Sequence, residues 1–157
     1  MDKLNSEQEN KKLSWMDVPL PSYESSAFTP KAGPDFIGIK IWAPERISLK
    51  TSKHVPLFGI VQFKEEMLNE INVSDRHPVR AVVVGAIVAG VNQPYVGNAV
   101  LQAPLFPAPK ASPLVTEYFN IDIVESTGML RAPGKYFLFA SIGPFVAEII
   151  SIEVVAS

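Results

Sequence analysis

APGKYFLFASIGPFVAEIISIEVV, residues 132–155, reads as a tight corner, a strand, a two-residue turn and a closing strand. Pro133-Gly134 is a turn signal, because Pro fixes φ and Gly accepts positive φ at little cost. Side chains alternate along a strand, so Tyr136, Leu138, Ala140 and Ile142 share one face and Phe137 and Phe139 the other. Gly143-Pro144 breaks the run. Ile150, Ile152 and Val154 then alternate with Ser151, Glu153 and Val155, which describes a second strand with one largely polar face.

Working upstream, the same period recurs. Val115 to Val124 alternates, with Phe119, Ile121 and Ile123 inward and Tyr118, Asn120 and Asp122 outward. The segment 103–114, APLFPAPKASPL, is too rich in Pro to join a sheet interior and reads as a stiff connection between sheets. Tyr95 to Gln102 is a further strand. Pro78 to Gly90 is the most apolar one, polar on neither face after Arg80, a pattern expected of strands buried on both sides. Leu57 to Phe63 is a strand whose Gly59 marks a bulge or a close backbone approach. Phe36 to Trp42 sets Ile37, Ile39 and Ile41 against Gly38, Lys40 and Trp42, and Arg46 to Thr51 continues with Ile47 and Leu49 inward. Lys64 to Ile71 is the one helical candidate, with Met67, Leu68 and Ile71 at helical spacing. Residues 1–12 are a polar tail in which Asn5 or Ser6 could cap a short helix. Residues 13–35 mix anchors such as Trp15 with repeated Pro and read as an extended arm.

These elements predict an all-β chain of about seven or eight short strands in an antiparallel sandwich, with one short helix. Residues 1–35 form the tail and arm, and 36–157 the β-domain. The corner Pro133, Gly134, Tyr136 resembles the tyrosine corner of immunoglobulin-like β-sandwich domains. In those domains the Tyr hydroxyl bonds back to nearby backbone and pins the crossover between sheets. The likeness covers about the last quarter of the chain. It implies an immunoglobulin-like sandwich without the disulfide, since there is no Cys.

With 157 residues, 47% hydrophobic and 19% charged, the chain fits one globular core. A net charge of −2 is too close to neutral for a nucleic-acid footprint. The polar start MDKLNSEQENKKLSW does not resemble a signal peptide. The apolar run Ala81 to Val91 falls short of the ~20 residues that cross a bilayer. The expectation is a soluble chain with no membrane span, cytoplasmic by default.

Catalytic signatures are scarce. Neither G-x-S-x-G nor a complete phosphate-binding loop occurs, and the two histidines, His54 and His77, lack zinc-ligand spacing. No cofactor or metal is expected. An enzyme would have to assemble its site from distant groups such as His54, His77, Asp75 and Glu125. The leading expectation is a non-catalytic module that binds a protein partner, or itself, through an apolar sheet face and the N-terminal arm. The candidate contacts are Trp15, Trp42, Tyr95, Phe106, Phe137 and Phe139. The alternative is a carbohydrate- or small-ligand-binding module that uses the loop aromatics as stacking platforms, unless those rings are core plugs. The strands apolar on both faces, 79–89 and 136–142, call for a cover, and the arm is one candidate for it.

Overall fold

Alternation of the kind seen around Tyr136 dictates the architecture of the computed structural model, which describes residues 14–90, 96–107 and 112–156. In chain order the elements are β1 (Gly38–Trp42), β2 (Arg46–Ser48), β3 (Pro56–Lys64), β4 (Val83–Val88), β5 (Val96–Val100), β6 (Leu114–Asp122), α1 (Ile123–Thr127), β7 (Gly134–Ile142), β8 (Phe145–Val146) and β9 (Ile150–Val155). The chain is all-β, in two sheets. One has the order β1-β3-β6. The other has the order β2-β9-β7-β4-β5, with β8 also paired to β7. All pairs are antiparallel except β2 with β9, where Ile47 sits opposite Val154 in parallel register. The Pro-rich connection lies between β5 of one sheet and β6 of the other.

One core takes residues from both sheets. Ile39, Leu57, Val61, Phe63, Phe119 and Ile121 come from the first; Val84, Ala86, Leu138, Ala140, Ile142 and Ile152 come from the second. Two glycines make room for rings directly opposite them in the ladder. A Cβ at Gly59 would lie 2.0 Å from the Phe119 ring, and one at Gly85 would lie 2.1 Å from the Phe139 ring. Gly59 is therefore a close approach rather than a bulge. At the corner the Tyr136 hydroxyl donates to the Ala132 carbonyl at 2.7 Å. Burial holds the phenol above its ordinary range. Beyond the turn, Ser141 pairs with Val146, but Leu138 pairs with Ile150, so the closing edge carries one extra residue, a bulge between β8 and β9.

Several expectations are corrected. Pro78–Ala81 is a 3₁₀ turn and the strand begins at Val83: Pro78 suits a first helical turn, and the Val79 amide donates to Glu117 instead of to a ladder. Nor is this strand buried on both sides, because Val83 and Ile87 are only half-buried. Lys64–Ile71 holds one 3₁₀ turn, Glu65–Met67, rather than an α-helix. Leu68 and Ile71 are buried, but Asn72 at φ 60° ends the run after too few residues to propagate a helix. The five-residue α1 replaces the end of the expected 115–124 strand. Asp122 caps it, accepting from the Val124 amide, and Gly128 at φ 72° stops it. The tail-helix expectation lies outside the described residues.

The two glycines predict unequal costs. Gly59→Ala pushes on Phe119, which is fully buried, and should cost about 1–3 kcal/mol in denaturant titration. Gly85→Ala pushes on Phe139, which is half-buried on the outer face rather than enclosed in the core, and should cost clearly less. Equal losses would show that Phe139 is as confined as Phe119. Tyr136→Phe should cost about 0.5–1.5 kcal/mol, the net worth of one hydrogen bond.

Candidate interaction face

Two sheets that share a core leave two outer faces, and this chain treats them differently. On β1, β3 and β6 the outward side chains include Lys40, Trp42, Phe58, Gln62, Thr116 and Asn120. The arm lies across them. Ser22 and Asn120 exchange backbone hydrogen bonds at 2.9 and 2.7 Å, and the Asn120 amide donates to the Glu24 carbonyl at 2.8 Å. Phe28 stacks on Trp42 with centroids 5.6 Å apart and lies 5.8 Å from the Phe58 ring. Lys40 donates to the Lys31 carbonyl. Gln62 donates to the carbonyls of Gly33 and Phe36 at 2.8 and 2.9 Å, while its own oxygen accepts from Thr116. Under this cover Asn120 is 0% and Gln62 4% exposed, although both occupy outward positions.

The arm thus covers a sheet face in cis, but not the face whose sequence called for a cover. On the other sheet the outward residues are Val83 and Ile87 of β4, Val96, Asn98 and Val100 of β5, Lys135, Phe137, Phe139 and Ser141 of β7, Val146 of β8, and Ser151 and Glu153 of β9. Val96, Val100 and Val146 are 50%, 51% and 63% exposed, and Ile149 in the bulge is 55% exposed. Phe137 and Phe139 are half-buried among them, with the Lys135 ammonium over the Phe137 ring. Among the described residues no segment crosses this face.

The other candidate residues lie elsewhere. Trp42 belongs to the arm-covered face. Trp15 sits in a short 3₁₀ turn of the arm and lines a cavity with Leu20, Ser52, His54 and Pro56. Phe106 meets Tyr23 edge-on at 5.6 Å and lies 5.5 Å from the His77 ring. Tyr95 lies outside the described residues. Pro133 and Gly134 lead into β7 at the corner that Tyr136 closes. Of the five candidate contacts among the described residues, the open face brings together Phe137 and Phe139. Sequence reading missed Val96, Val100, Val146 and Ile149. A signal for the first two was present: from Ala81 through Pro109 no charged residue or His occurs, in a chain 19% charged.

The candidate titratable groups form separate pairs. His54 Nδ1 lies 2.7 Å from Asp122, whose other oxygen accepts from the amides of Val55 and Val124. His77 Nδ1 lies 2.8 Å from Glu117, whose other oxygen accepts from Val79. Asp75 accepts from the His77 amide and from Arg80. Burial pushes its carboxyl up, but these donors outweigh it and hold the group below the usual carboxylate range. The two histidines use different carboxylates, and Glu125 stands exposed on α1. Among the described residues neither imidazole bonds a hydroxyl, no group of three His, Asp or Glu could hold a metal, and no helix is long and apolar enough to cross a membrane.

Phe28→Ala should uncover Trp42 and Phe58, raise the rate of proteolysis within 22–36 and shift Trp fluorescence to the red. Asn120→Ala removes the donor to Glu24 and should cost about 1–3 kcal/mol. An unchanged digestion pattern in both variants would show that these contacts do not hold the arm.

Compared with protein-family models, with curated proteins and with solved structures, the chain matches none of them.

Proposed function

We propose that the chain is a non-catalytic immunoglobulin-like β-sandwich that docks a protein partner on the outer face of β5, β4, β7 and β9. The fold part of this reading draws support from the strand order, from the parallel pair at β2 and β9, and from the Tyr136 corner bond at the start of β7. The single observation behind the interaction part is the contrast between the two outer faces. One is sealed by the arm; the other presents Val, Ile and Phe side chains to solvent. Contiguous apolar surface left open on a soluble domain marks an interaction site or an aggregation hazard. Lys135 and Glu153, opposite each other on β7 and β9, put charge at one end of the face, so the docked surface has an apolar centre and a polar rim.

Carbohydrate stacking has weaker support. One ring face of Trp42 is occupied by Phe28, and Phe106 is held between Tyr23 and His77. The arm, in turn, contributes to assembly only indirectly, by sealing the opposite face.

A photo-reactive residue at Ile149 tests the reading, with a second at Glu66, exposed after β3, as control. In native extract the Ile149 probe should give a discrete protein adduct that Val146→Asp abolishes, with no such adduct at Glu66. Both substituted positions are exposed, so stability should move by no more than about 0.5 kcal/mol. Identical adducts from the two probes, or none from either, would overturn the face as a docking site.

A further inference from the structure

We infer that β5 is a self-pairing edge, through which two copies of this chain join antiparallel into one continuous sheet. Leu101 donates its amide to the Val82 carbonyl, and Ala89 donates to Lys135 across the other side of β4. In an antiparallel ladder the bonding direction alternates residue by residue. Gly97, Ala99 and Leu101 therefore point their backbone groups at β4, and Val96, Asn98 and Val100 point theirs away. Among the described residues no strand takes up that second edge.

Unpaired edges are normally blunted by a charge, a proline, a bulge or a cover. The chain does this elsewhere. The edge of β6 is taken by Ser22, β2 has three residues beginning with Arg46, and β1 carries Lys40. Among the described residues, Val96–Val100 of β5 carries none of these devices. Its neutrality favours a second copy over another occupant. A two-fold axis sets the residue beside it opposite its own twin, so a charge at the centre of the edge would meet a like charge. None exists from Ala81 through Pro109.

The strand Val96-Gly97-Asn98-Ala99-Val100 is close to a palindrome. With the axis beside Asn98, Asn98 opposes its twin and Val96 opposes the twin of Val100. All three pairs use backbone groups that already point outward, giving about six hydrogen bonds by the antiparallel pattern. On the outer face two Val–Val pairs flank an Asn–Asn pair, each a favourable cross-strand contact. An axis normal to the sheet keeps both outer faces on one side, so the face around Phe137 and Phe139 runs on into the second copy. This inference uses the edge and not the face, so either can fail alone.

The chain has no Cys, which makes a cysteine probe clean. In a bonded antiparallel pair the Cα atoms stand about 5.5 Å apart, within disulfide reach. Mild oxidation should convert Asn98→Cys into a covalent dimer and leave Gln102→Cys, whose twin lies far along the strand, monomeric. Light scattering should show a concentration-dependent dimer for the native chain. Asn98→Lys should abolish it, with an unchanged melting temperature at dilutions where the native chain is also monomeric, and Val146→Asp should not. A native chain that stays monomeric at submillimolar concentration, with no Asn98→Cys dimer, overturns the inference. So does a dimer lost in Val146→Asp but kept in Asn98→Lys, an outcome that leaves the face reading intact.

Discussion

The side-chain amides of Gln62 and Asn120 hold the arm against the three-stranded sheet, and much of the structure depends on that contact. A backbone laid over a sheet face loses water from its carbonyls and needs replacement donors. Gln62 donates to Gly33 and Phe36, and Asn120 to Glu24. The apolar part follows from this placement, because the arm held there brings Phe28 onto Trp42 and Phe58. Neither part would suffice alone. A ring stack exposed at its edges is worth about 1 kcal/mol, and a single amide–carbonyl hydrogen bond about as much. Together they turn the outer face of a sheet into a second, smaller apolar layer.

The glycine–phenylalanine pairs show how the two sheets came to differ. In each pair a ring lies over a glycine on the neighbouring strand, which fills the space a missing side chain leaves in a ladder. Phe119 does this inside the core, over Gly59. Phe139 does it on the open face, over Gly85. The second pair flattens the middle of that face: the strand contributes no side chain at Gly85, and the ring lies down instead of standing up. The result is an apolar plane rather than a pocket.

The alternation of β7, β9 and β6 was legible because each has one face in a common core, so period two survives in the residues. Tyr136 was legible because a Pro-Gly corner precedes it. What escaped the sequence did so for physical reasons. The 3₁₀ turn at Pro78 hides in an apolar run whose composition suits a strand equally well, and only the Glu117 carboxylate, distant in sequence, decides it. Asn120 and Gln62 look like solvent-facing residues, since nothing local records that the arm comes back over them. Phe106 reads as an exposed platform for the same reason, whereas Trp42 stays 37% exposed with only one ring face taken by Phe28. The open face was half legible: Phe137 and Phe139 were found through alternation, whereas Val146 and Ile149 depend on a bulge that shifts register by one residue.

The uncharged run from Ala81 through Pro109 links the open face to the open edge. Neutrality over so long a stretch does nothing for a buried core strand that is already apolar, and β5 is not buried: its pattern alternates between exposed and half-buried. A monomer that kept this strand in water would gain solubility from one lysine at Asn98 without losing any core contact, because that side chain points outward. What a lysine would forfeit is the chance to meet its own twin or a flat partner surface without repulsion. The short length of β5 keeps that chance from becoming a hazard. Five residues offer a bounded ladder, and Leu101, whose bond turns back to Val82, begins the chain's departure toward the Pro-rich connection, which cannot extend a sheet. An edge that is neutral, short and stopped by proline suits a closed pairing between two copies better than open-ended stacking.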